Sequence, residues 1–144
     1  MNTSTISFNA NTQGGPLEIS VCLDSHTIYQ SEITEQKQKI NVILDQEDKE
    51  QDHVMEIHMR GKLASHTQLD NFGFIVADRL LEISDITLDD INISHTFFKN
   101  ARYRHDFNGT EKETEEQFYG TMGCNGTVTI NFSTPMYLWF LKNN

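Results

Sequence analysis

The sequence predicts an all-β fold: a single antiparallel β-sandwich, jelly-roll-like, of about 8–10 strands. Three observations predict it. Apolar and polar residues alternate with period two along most of the chain, the pattern of strands with one buried face. Only two prolines interrupt the chain, and turn-forming clusters recur roughly every ten residues. The 144 residues are one domain's worth and contain neither an internal repeat nor a linker, so residues 1–144 read as one sandwich.

The elements follow in order. Ile6, Phe8 and Ala10 alternate with Ser7 and Asn9 in a first strand. Leu17, Ile19, Val21 and Leu23 alternate with Glu18, Ser20, Cys22 and Asp24, the cleanest strand of the chain. A turn at Ser25–Thr27 leads to a weaker strand, Ile28–Ile33, and Ile40, Val42 and Leu44 resume the alternation. Met55, Ile57 and Met59 mark the next strand. The acidic run Asp45–Asp52 between these two is a solvated hairpin tip, and Thr110–Glu116 has the same character. Gly61–Asp78 lacks periodicity and reads as a long exposed loop. Within it Phe72 and Phe74 either pin the loop to the core or present two aromatics to a partner. From Leu80 to Ile93 the alternation survives with two phase slips, each the mark of a bulge or a short turn, the second falling most naturally at Asp89-Asp90. A helix there would mix acidic and apolar residues on one stripe. Val128, Ile130 and Phe132 form another strand, and Met136–Leu141 reads as a last strand, apolar on both faces.

Charge narrows the function classes. Eleven basic residues against 21 acidic give a net charge of −10, which disfavours nucleic acid, since phosphate contacts need clustered Lys and Arg. No apolar run approaches the ~20 residues of a membrane-spanning helix. The N-terminal residues Met1 to Ile6 lack a basic region and an apolar core, so no secretory signal is expected and synthesis falls in a reducing cytoplasm. Cys22 and Cys124, 102 residues apart, then read as free thiols, with a disulfide the alternative that this spacing neither requires nor excludes. Five Asn-x-Ser/Thr matches, at Asn2, Asn92, Asn108, Asn125 and Asn131, reflect an Asn- and Thr-rich chain more than a glycoprotein.

Catalytic motifs are absent: no nucleophile elbow, phosphate-cradling loop or zinc helix occurs. His53 and His58 are an odd number apart and point to opposite faces of a strand, which argues against a shared metal. Calcium has better candidates. Asp85, Asp89, Asp90 and Asn92 cluster near one turn, and Asp106, Asn108 and Thr110 near another, supplying hard oxygens; the competing reading is that they are turn formers. A carbohydrate site would draw its platform from Tyr29, Phe72, Phe74, Tyr103, Tyr119 and Trp139. Tyr29 and Tyr103, set among polar neighbours, are the better choices. Tyr137, Trp139 and Phe140, in the two-faced apolar segment, would anchor the core or a subunit contact.

Three segments carry a resemblance: Leu80-Leu81-Glu82-Ile83-Ser84-Asp85-Ile86, Tyr119-Gly120-Thr121-Met122-Gly123-Cys124-Asn125-Gly126-Thr127 and Thr134-Pro135-Met136-Tyr137-Leu138-Trp139. They resemble segments of small virion proteins from tailed phages of marine cyanobacteria. Leu17–Gly61 is similar to the strands of jelly rolls of the carbohydrate-binding-module kind. The resemblance implies a β-sandwich displayed on a virion as capsid decoration, tail or fibre component, made in the host cytoplasm, with no catalytic residues. The primary expectation is therefore a non-enzymatic interaction protein touching other virion proteins and its own copies. The alternative is a calcium-assisted carbohydrate-binding module recognising a host surface polysaccharide.

Overall fold

The alternating segments pair as strands of two antiparallel sheets packed face to face. The structure, a computed structural model, describes residues 3–45 and 47–144. Met1, Asn2 and Gln46 lie outside the described residues, and with them the Asn2 match and one member of the acidic run. In chain order the strands are β1 (Ser4–Gln13), β2 (Leu17–Leu23), β3 (His26–Ile33), β4 (Gln38–Leu44), β5 (Gln51–Arg60), β6 (Gln68–Leu69) and β7 (Ile75–Ala77). There follow β8 (Leu80–Leu88), β9 (Ile91–Asn92), helix α1 (Ser94–Asn100), β10 (Arg102–His105), β11 (Thr114–Gln117), β12 (Thr121–Met122), β13 (Gly126–Thr134) and helix α2 (Met136–Asn143).

One sheet runs β12-β8-β1-β4, with β9 folded back on β8; the other runs β11-β10-β13-β5-β2-β3. The chain changes sheet at nearly every long connection, as jelly rolls do. The four shortest strands, β6, β7, β9 and β12, are too brief to produce visible alternation. Without them nine remain, within the expected range.

The core is the set of inward positions of both sheets. Ile6, Phe8 and Ala10 of β1 face it from one side, and Ile19, Val21, Ile57 and Ile130 from the other, all buried. The two phase slips have their predicted causes. Register jumps between Ser7↔Thr87 and Asn9↔Ser84, so Phe8 opposes a bulge at Asp85-Ile86. Asp89 and Asp90 then turn the chain with φ of 48° and 70°.

The C-terminal segment departs from expectation. Met136–Leu141 is not a strand but the body of α2. Pro135 has no N–H to extend the sheet, and its carbonyl accepts from Leu138 and Trp139, which opens the helix. Met136 and Trp139, one helical turn apart, are buried, and Trp139 packs edge-on to Phe132 with centroids 6.2 Å apart. Phe140 is half-buried beside them and Tyr137 is exposed. The segment looked two-faced because every position is apolar, which hides the 3.6 period. Trp139 thus anchors the core, and of the three proposed interface residues only Tyr137 stands free.

Gly61–Asp78 is a loop only in part. Its middle forms a separate two-stranded hairpin, β6 with β7, on which Gln68 pairs with Ala77 and Leu69 with Ile75. Phe72 and Phe74 at its tip are exposed, so they do not pin it to the core.

Candidate functional site

The outer face of the β12-β8-β1-β4 sheet gathers the most ligand-like chemistry. Its positioning begins at the end of β11. Phe118 turns inward, fully buried, with its ring edge-on to Phe98 and Tyr103, so the next side chain, Tyr119, turns outward and is 76% exposed. Gly120 follows at φ 110°; a Cβ there would lie 3.2 Å from the Ile83 carbonyl and 3.4 Å from the Phe98 ring. Only glycine fits this close approach. In return the Gly120 carbonyl accepts from Ile83 N–H at 2.8 Å, which fixes Tyr119 against β8.

Beside Tyr119 the sheet face is a ladder of amides, hydroxyls and two carboxylates. Gln13 and Asn11 donate to the two oxygens of Glu82 at 2.5 and 3.4 Å, and Asn9 donates to Asp85 at 2.9 Å. Ser7 donates to Asn41 at 2.7 Å further across. The bulge holds Asp85 at φ 52°, a left-handed backbone that aspartate tolerates better than most residues. Asn11 Oδ1 and Ser84 Oγ are buried and hold no hydrogen-bond partner within the described residues. Glu82, Ser84, Asp85, Phe98, Tyr119 and Thr121 line an open depression of about 300 Å³. An exposed aromatic ring beside fixed acceptors and donors suits a polar ligand with an apolar face.

The residues singled out in the sequence scatter. Tyr103 is buried, its phenol pushed well up in pKa by burial; its hydroxyl donates to the Cys124 carbonyl at 2.5 Å and accepts from Cys124 N–H at 2.9 Å. It is a structural staple and no platform. Tyr29 lies half-buried at the sandwich margin, its hydroxyl accepting from Gln38. Phe72 and Phe74 are exposed on the hairpin and line no part of this depression, with Leu69, Ile75 and Val76 as exposed companions.

The calcium candidates do not converge. Asp89 accepts from Thr5 N–H and Asn92 from Ser94 N–H, both at 2.9 Å, while Asp85 belongs to the bulge. In the second cluster Asp106 accepts from Gly109 N–H and Asn108 from Asn125 N–H. Asp89, Asn92, Asp106 and Asn108 thus cap backbone amides at turns. Among the described residues no group of three or more His, Cys, Asp or Glu side chains is close enough together to hold a metal ion. His53 and His58 do face opposite ways: His53 stacks on Phe132 with Nδ1 2.6 Å from Asp24, and His58 meets Thr127 at 2.9 Å. Both cysteines are free thiols.

A second polar constellation joins the hairpin to the sandwich. The Lys62 ammonium, buried, lies 2.6 Å from Asp78 Oδ1 and donates to the Gly123 carbonyl at 2.5 Å. Asp78 also accepts from Thr67 Oγ1 and Arg79 N–H, and Asn125 bonds both backbone polar atoms of Lys62. Every member is spent on another, so this is an anchor with nothing left for a ligand.

No protein-family model matches the chain, and no curated protein matches it. Two solved structures share the fold. One is the selenomethionine form of vCBM60, reported with a circular permutation linking two families of calcium-dependent carbohydrate binding modules: 10% identity, TM-score 0.54, covering 88% of this chain and 89% of that one. The other is vCBM60 in complex with galactobiose: 12% identity, TM-score 0.51, covering 88% and 98%. The likeness establishes that this chain shares their antiparallel β-sandwich fold.

Proposed function

We propose that this protein is a non-catalytic carbohydrate-binding module that holds a sugar chain on the outer face of the β12-β8-β1-β4 sheet. One observation carries the reading: Tyr119, freely exposed, shares an open depression with Glu82 and Asp85, the carboxylates that Asn11 and Asn9 hold in place, on a sandwich shared with a protein solved with galactobiose bound. The ring stacks on the C–H face of a sugar. The amides and carboxylates, already oriented by one another, take its hydroxyls. Four strands side by side span about 14 Å, room for a short oligosaccharide lying across them. The likeness favours this reading over the virion role, to which it lends nothing.

vCBM60 is grouped with calcium-dependent modules, but the acidic residues here are spread along β8 and bonded to backbone and amide groups. They do not fit an ion site, and sugar contact is direct in this reading. Calorimetry with galactobiose, backed by a glycan array, tests it with and without a calcium chelator. Tyr119→Ala is expected to weaken binding about tenfold, the loss of one stacked ring, while Tyr29→Ala leaves it unchanged and the chelator has no effect. An array without hits, or a Tyr119→Ala protein that binds as well as wild type, overturns the proposal.

A further inference from the structure

The β6–β7 hairpin is built inside out. Every residue of both strands is exposed, and Leu63, Leu69, Phe72, Phe74, Ile75 and Val76 present six large apolar side chains to solvent. This is not a slack loop. Asp70 holds the tip, accepting from Phe72 N–H at 2.8 Å and Phe74 N–H at 3.0 Å, while its own N–H donates to the Phe74 carbonyl at 2.8 Å. Lys62, Thr67 and Asp78 clamp the base. An ordered element with its apolar side chains outward is shaped for contact with something else.

Three observations say what that is. The first is the strand edge. Three of the four outer strands of the sandwich carry charge, Glu115 and Glu116 on β11, His26 and Glu32 on β3 and Lys39 on β4, and the fourth, β12, is only two residues long. Such residues deter edge-to-edge pairing, whereas β7, Ile75-Val76-Ala77, has neither charge nor proline. The second is charge. In a chain of net charge −10, residues 63–77 carry one acidic group, Asp70, and its carboxylate is occupied by the tip amides. Two copies can therefore meet here without opposing their acidic surfaces. The third is area. The hairpin's own Leu69, Phe72, Phe74, Ile75 and Val76 expose on the order of 600 Å² per copy over its two faces, the upper end of the largest patch on a monomer and approaching the ~800 Å² per partner of a standard interface.

We propose that two copies of this chain associate through the hairpin Thr67–Asp78. Their β7 strands pair antiparallel about a two-fold axis into a four-stranded sheet, which sets Ile75 of each copy beside Ala77 of the other and lays the Phe74 end of each hairpin along the base of the other. Such a contact is self-complementary and closes at two copies. It is independent of the sugar site, which lies on another element.

Sedimentation equilibrium of the full chain, from low micromolar to several hundred micromolar, tests this. The mass is expected to rise from 16.6 kDa toward twice that value, at lower concentration in high salt than in low. Salt strengthens apolar burial and screens the repulsion between two acidic chains. Two variants, Phe72→Ser with Phe74→Ser and, separately, Val76→Lys, are expected to weaken association at least tenfold. These positions are exposed, so both variants fold, and circular dichroism of the dilute protein checks that. A wild-type mass that stays at one copy throughout overturns the proposal, as does a dimer untouched by both variants. Flotation of monomeric protein with phosphatidylcholine vesicles, lost in the variants, would also overturn it and assign the hairpin to a lipid surface.

Discussion

The sandwich and the hairpin are both built of antiparallel strands and put opposite chemistry outside. In the sandwich, Ile57 and Val128 turn inward while Glu56, His58 and Thr127 face water; in the hairpin, Leu69, Phe74 and Ile75 are all in solvent. What differs is the support beneath. The sandwich strands have a second sheet to bury against, so apolar area holds them. The hairpin has none, and is held at its base by Lys62, Asp78 and Asn125 and at its tip by Asp70. One region is stabilised by burial, the other by hydrogen bonds and an ion pair. Damage to the first should be global, and damage to the second local.

The largest effect belongs to the core. Phe8→Ala empties a fully buried site on the central strand β1 and is expected to cost about 3–5 kcal/mol, lowering the thermal midpoint of the whole domain in calorimetry. A small loss there would break the contrast.

The anchor comes next. Lys62→Met keeps the stem and removes the ammonium, leaving Asp78 with Thr67 and Arg79 alone, at a cost of about 1–3 kcal/mol. Hydrogen exchange should quicken across residues 63–78 well before it does in β1 or β5. Acid offers the same cut without a mutation. Burial raises the Asp78 pKa, but the bonds from Lys62, Thr67 and Arg79 and the Lys62 charge more than offset that, so it sits below the usual aspartate value. A carboxyl depressed in the folded state lends stability that is complete above about pH 4 and disappears as pH falls through its lower folded pKa. Hairpin protection should fade in that window in wild type. In Lys62→Met the fading should be weaker.

The smallest effect is at the tip. Phe72→Ser with Phe74→Ser should shift the unfolding free energy of dilute protein by no more than about 0.5 kcal/mol, because neither ring is buried within the chain. A larger loss would mean that the rings support the fold after all.

Most of the fold was legible because half-buried strands write their geometry into alternation. β2 and β5 are plain, and even the Asp85 bulge and the Asp89-Asp90 turn show as phase slips. Met136–Leu141 was not legible: an unbroken apolar run fits period two and period 3.6 alike, and Pro135 decides the matter through a missing donor. The site was read less well for the same reason. Arg102 and Arg104 around Tyr103 look like the setting of an exposed ring, yet polar neighbours on both sides are what an inward strand residue has. At Phe118-Tyr119 adjacent aromatics point opposite ways, and only the partners in space, Ala101, Phe98 and Ile83, tell which is which. The hairpin escaped notice because its apolar residues have no internal core to alternate against.

The Tyr103–Cys124 staple gives the molecule a chemical clock. Burial pushes the Cys124 thiol up in pKa, and its backbone is tied on both sides to one phenol. Only the thiolate attacks an alkylating reagent, so Cys124, half-buried and held toward its thiol form, reacts slowly while that turn is closed and faster when it lets go. Its labelling rate therefore reports on openings at the joint beneath the hairpin, with Cys22 on the outer face of β2 as internal reference. Ligand binding or pairing of two copies can then be followed in seconds and minutes of chemistry on the unmodified sequence, with no added probe.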